Sequence, residues 1–159
     1  MSSLQKAESH LERLTPLPST LIRGVAVAEQ ETDPERRALA NDGIGARIQA
    51  VYTGLEALIE ATLGSLNEKI PKGESSHKAL LDAAEEHSLI STEEKFKLDT
   101  IKGFRHIHRH TYDIILNYET LKARALSLAE LLPPILGRTK EVLAKIREQN
   151  DNPPGGKGK

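Results

Sequence analysis

The sequence is poor in the residues that most often announce a function. It has no cysteine, which removes any disulfide framework and any thiolate zinc site. It has no tryptophan, and aromatic residues make up only 3% of the chain, so stacking platforms for single-stranded bases are scarce. The formal net charge is -1, so overall charge does not point to nucleic acid, and any such affinity must come from a local patch. No apolar run approaches the length of a membrane span, and the first residues carry no signal-peptide hydrophobic region. The expectation is a soluble cytoplasmic protein. At 159 residues, one domain with a real core is expected.

What is present is helical periodicity. Ser2 or Ser3 is placed to cap a short helix with Leu4, Ala7, Leu11 and Leu14 on one stripe, ended by Thr15-Pro16-Leu17-Pro18. Residues 19–31 are ambiguous. Ser19 is a possible cap, while Gly24 and the Val25/Val27 alternation argue against a helix, which is nonetheless the favoured reading. Asp33-Pro34-Glu35 is a clear start signal, combining a cap, a proline at the first helical position and an early acid. From it Ile44, Ile48, Val51, Tyr52, Leu55, Leu58, Ile59, Leu63 and Leu66 step by threes and fours along one face. Gly43, Gly45 and Gly54 inside this stretch suggest close approach of a neighbouring helix.

A short helix follows from about Ser76 to His87, with Leu80, Leu81 and Ala84 inward. Ser91-Thr92-Glu93-Glu94 reads as a capping box opening a helix with Phe96, Ile101, Phe104 and Ile107. After Asn117, a heptad seam runs through Leu121, Ala125, Leu128, Leu132, Ile135, Thr139, Val142 and Ile146. Such a seam suits antiparallel packing or a dimer. Pro133-Pro134 is expected to kink this helix without ending it, because the seam keeps phase across the prolines. No segment alternates convincingly as a strand. The fold class is therefore all-α, an up-and-down helical bundle over residues 1–148, with 149–159 as a disordered Pro/Gly/Lys tail.

The chemistry concentrates in Gly103-Phe104-Arg105-His106-Ile107-His108-Arg109-His110-Thr111-Tyr112-Asp113. Half of the six histidines fall here, with two arginines and a tyrosine among them. Arginine offers a planar cation with forked donors that fit a phosphate, and histidine moves protons near neutral pH. Three other readings compete. His106, His108 and His110 would share one face of a strand and hold a metal. On a helix His108 points away from the other two, no Glu follows His106, and Arg105 and Arg109 would repel a cation. The run can also be no more than a solvated basic face, and Tyr112 a core residue with a wet hydroxyl. Tyr52 reads as core, and Tyr118 as the start of the last helix.

Arg105-x4-His110-x-Tyr112 resembles the Arg-x4-His-x-Tyr motif of HEPN-domain ribonuclease toxins, in particular the HepT-like branch. Phe104-Arg105-His106 with Arg109-His110 is similar to that branch's Phe-Arg-His…Arg-His run. Tyr52-Thr53-Gly54-Leu55-Glu56 and Gly73-Glu74-Ser75…His77-Lys78…Leu80-Leu81 resemble two further blocks of it, in the same order. Ser76 departs from the pattern, where the branch usually carries Trp, and puts the packing of the middle helix in question. The resemblance implies a HEPN bundle and a metal-independent endoribonuclease with no cofactor, acting on tRNA or mRNA. It implies Arg105 and His110 as catalytic residues, with His106 and Arg109 in support. It also implies a minimal nucleotidyltransferase antitoxin that silences the toxin by transferring AMP to Tyr112. Bulk and negative charge two residues from His110 would block the cleft and repel RNA.

One geometric difficulty stands out. Five residues at about 100° each set His110 some 140° round a continuous helix from Arg105. Either the helix distorts between them or the groups converge across a dimer axis, the route the HEPN family largely takes. Metal-free RNA cleavage needs one group to take the 2′-OH proton and another to protonate the leaving oxygen, and a two-fold pair would supply His110 twice. A homodimer is therefore expected. The alternative is a non-catalytic HEPN module that binds a nucleotidyltransferase and grips a nucleotide phosphate with the same cluster.

Overall fold

A computed structural model describes residues 1–70, 73, 76–110 and 118–153; for 103–110 it describes the backbone. Among the described residues there are six helices and no strand: α1 (Ser3–Leu14), α2 (Leu17–Gln30), α3 (Pro34–Ser65), α4 (Ser76–Glu86), α5 (Thr92–His110) and α6 (Tyr118–Asp151). The all-α bundle expected from periodicity is the fold.

Local chemistry explains most boundaries. Ser2 caps α1 through a full capping box, its Oγ accepting from the Gln5 amide at 3.2 Å while Gln5 accepts from the Ser2 amide at 2.9 Å. Asp33 caps α3, accepting from the Arg36 amide at 3.0 Å, with Pro34 at the first position. The ambiguous stretch is helical, but Ser19 is not its cap. α2 begins at Leu17, Pro16 stands at the cap position, and Ser19 Oγ donates to the Pro16 carbonyl at 2.9 Å from inside the first turn. Leu21, Val25 and Ala28 turn inward, leaving Val27 exposed, so the Val25/Val27 alternation carried no strand signal.

α3 and α6 form the centre. The whole α3 stripe from Ile44 to Leu63 is buried, Tyr52 included, and Leu66 packs partly buried against it. α6 runs unbroken through Pro133-Pro134 and continues to Asp151, into the segment read as tail. Its seam faces inward: Leu121, Ala125, Leu128, Leu132, Ile135, Thr139 and Ile146 are buried, and Val142 is partly so. The seam is thus consumed within the chain against α1, α2, α3 and α5, and offers no face to a second copy.

Gly54 is one of the places where α1 closely approaches α3. A Cβ there would lie 3.1 Å from Leu14 Cδ2, whereas one at Gly43 would meet nothing within 4 Å. The expected close approach therefore holds at Gly54 and fails at Gly43. No helix, among the described residues, is long and apolar enough to cross a membrane.

Candidate functional site: the end of α5 and its supports

α5 carries Arg105, His106, Arg109 and His110 in its last two turns, and its other end is firmly fixed. Ser91 and Glu94 form the expected capping box, with the Glu94 amide donating to Ser91 Oγ at 3.1 Å and the Ser91 amide donating to Glu94 Oε1 at 2.7 Å. Glu94 also accepts a two-pronged contact from Arg138 of α6, at 2.7 and 2.6 Å, while Arg138 Nη1 donates to the Leu89 carbonyl at 2.8 Å. Burial pushes the Glu94 pKa up. The Arg138 and Ser91 hydrogen bonds, with the adjacent guanidinium charge, outweigh it and hold the carboxyl below its ordinary value.

The inner face of α5 differs from the one expected. Leu98 and Ile101 are buried, but Phe96 is 74% exposed. Phe96 lies two residues from Leu98, about 200° round the helix, so both cannot face the core. Lys95 ties α5 to α4, reaching Asp82 at 2.5 Å and Glu85 at 3.3 Å.

Past Ile101 the backbone stays helical to His110. Of the two ways to reconcile Arg105 with His110, a break in the helix between them is not the one taken. About 140° round the axis separates their backbone positions on such a helix. The side chains of Arg105, His106, Arg109 and His110 lie outside the described residues, and so does Tyr112 altogether. A metal role for His106 and His110 falls outside them too; among the described residues no cluster of three or more His, Asp or Glu is arranged to hold a metal.

The chain re-enters the described structure at Tyr118, which opens α6 as expected. Its hydroxyl donates to the Val25 carbonyl at 3.4 Å, and the Arg37 guanidinium stands 5.2 Å above its ring. Burial first, and then the Glu29 carboxylate, raises the Tyr118 pKa. Lys122 pairs with the same Glu29 and lowers the carboxylate's pKa by hydrogen bonding. The motif helix is thereby held at its start by Ser91, Glu94 and Arg138, and Tyr118 anchors the start of α6.

The structure also joins two residues that pattern reading left apart. Glu56, on α3, is 9% exposed, and His77, in the first turn of α4, hydrogen-bonds to its Oε2 through Nδ1. The signal was available, since Glu56 ends one of the quoted sequence blocks and His77 stands in another. Nothing in helical periodicity, however, pairs residues on different helices.

A protein-family model described as HepT-like protein matches residues 43–146. No curated protein and no solved structure matches the chain.

Proposed function

The chain belongs to the HepT-like family, and from that premise we propose that it is a metal-independent endoribonuclease toxin of HEPN type, acting as a homodimer on tRNA or mRNA. The observation that supports this most directly is the Arg105-x4-His110-x-Tyr112 run inside the matched region, with Arg105 to His110 on the last turns of α5. In this reading Arg105 stabilises the pentacoordinate phosphate, with His106 and Arg109 supporting it. Two copies of His110 act as acid and base across the two-fold axis. Tyr112 is the acceptor through which a minimal nucleotidyltransferase silences the toxin by AMP transfer.

The test is cleavage of an RNA substrate in EDTA. Activity should survive and leave 2′,3′-cyclic phosphate or 3′-phosphate ends, since the site requires no metal to activate the 2′-OH. His110→Ala should lower the rate about 10²–10⁴-fold, the scale for losing a general acid or base. Tyr112→Phe should still cleave but no longer accept AMP. Cleavage by His110→Ala at the wild-type rate would favour the non-catalytic module, and activity restored only by added metal would favour ligation by His106 and His110.

A further inference from the structure

The side of α3 turned away from the core carries a line of residues without charge. Leu39, Gly43, Ala46, Ala50, Thr53 and Ala57 step along it by fours and threes, for about five turns. The first five are exposed, Leu39 to 70%, and Ala57 is partly buried. A helix facing solvent ordinarily places charged and polar groups there. The spacing is that of a heptad seam, yet Ile44, Ile48, Val51, Tyr52 and Leu55, on the opposite side, supply the contacts to the core. Gly43 costs about 1 kcal/mol inside a helix, and a Cβ there would meet nothing within 4 Å. Neither Leu39 nor Gly43 is explained by contacts within the chain.

Beside Gly43 the surface opens into a hollow of about 280 Å³ between α3 and α2, lined by Gly24, Val27, Ala40 and Ile44. Val27 is itself 56% exposed. Arg23 and Arg47 also line the hollow, with no acid among its described lining residues. No described residue bonds to either guanidinium, nor to the Asp42 carboxylate. Asp42 and Arg47 flank the uncharged line on its two sides. With Gly43 and Ala50 at a, and Ala46 and Thr53 at d, Asp42 takes a g position and Arg47 the next e. Two such helices packed in parallel bring each g beside the e five residues further along the other. Asp42 of each copy then meets the partner's Arg47, at the hollow that Arg23 and Arg47 line. An antiparallel pair would bring g positions together, and the charged ones are Asp42 and Glu56, both acids.

We propose that two copies of this chain join through the outward side of α3, packed in parallel about a two-fold axis, with Asp42 of each paired to Arg47 of the other. The face is self-complementary, as a two-fold contact requires. This rests on the homodimer of the ribonuclease reading and supplies the surface that the α6 seam does not. Binding involves no covalent step.

The experiment follows the full-length protein by sedimentation at micromolar concentration. Wild type should run as a dimer of 17.5 kDa chains. Ala50→Glu sets a carboxylate in the middle of the line, at an exposed position. It should give a monomer whose helix content by circular dichroism is unchanged. Asp42→Arg and Arg47→Glu should each weaken self-association about tenfold or more, since each creates two like-charge contacts. Mixed together, these two variants should form a dimer again, because both contacts in the mixed pair are opposite in sign. Mixing would not restore an ion pair made within one chain. A wild-type monomer overturns the proposal, as does a dimer that survives Ala50→Glu or a pair of single variants that stay apart when mixed. RNA cleavage read on the same samples separates this contact from the activity. A wild-type dimer that recombines as described but cuts no RNA sinks the ribonuclease reading and leaves the α3 contact standing. Cleavage by a dimer indifferent to Ala50→Glu does the reverse.

Discussion

Gly54 and Gly43 sit on the same helix, and only one of them has a neighbour to accommodate. At Gly43 the space is open, so Gly43→Ala gains helix propensity without a clash and should stabilise the protein by about 0.5–1 kcal/mol, read as a raised melting temperature. At Gly54 the same gain is set against Leu14 at 3.1 Å, so Gly54→Ala should fall short of the Gly43→Ala gain, and Gly54→Val should destabilise outright. Equal stabilisation by alanine at both positions would show that α1 yields freely at Leu14. The Glu94–Arg138 contact makes a prediction of another kind. Arg138 is partly exposed, so Arg138→Ala should cost only about 1–2 kcal/mol in thermal or urea unfolding. Because the folded pKa of Glu94 is depressed, its contribution is complete above the ordinary carboxylate value of about 4.3 and lost as pH falls through the lower folded value. Wild-type stability should therefore decline below about pH 4, and Arg138→Ala should lose less over that same range.

Elements differ in how plainly the sequence announced them. Starts marked by side-chain caps were legible, because Ser2, Asp33 and Ser91 each satisfy an amide a few residues away, an interaction internal to the local sequence. α2 was obscured because its cap position holds Pro16, with no side-chain bond to give, and because exposed Val27 imitates a strand's alternation. Phe96 misled for a related reason: size alone does not tell which side of a helix the core will take, and Leu98 takes it. At the candidate site, the helix that carries residues 105–110 could be read from the sequence. The Glu56–His77 pair could not, since it forms only when α4 folds back along α3. The α6 seam was legible as a seam but not in its destination. Leu132 is fully buried within the chain, so Leu132→Ala should destabilise the fold by about 2–5 kcal/mol in denaturant unfolding. If the main effect were instead a shift toward monomer with unfolding unchanged, the seam would belong to an interface after all.

On the scale of the whole molecule, the two-chain site remains the expectation that most needs measurement. Sedimentation at micromolar concentration should give twice the 17.5 kDa of one chain. A clean monomer would remove the composite site. With the α6 seam occupied, any two-fold contact must be made by other surfaces, so seam substitutions and association should be separable. The dependence of the core on α6 has one more consequence, for the order of synthesis. α1, α2, α3 and α5 all pack against α6, so a growing chain exposes the Arg105–His110 helix before it has made the wall that holds that helix in place. Until then α5 has only α3 and α4 to pack against. At roughly 5–20 residues per second, two to seven seconds pass between translation of His110 and of Ile146. During that interval the nascent chain has the residues of its motif but not α6, the last wall against which their helix packs.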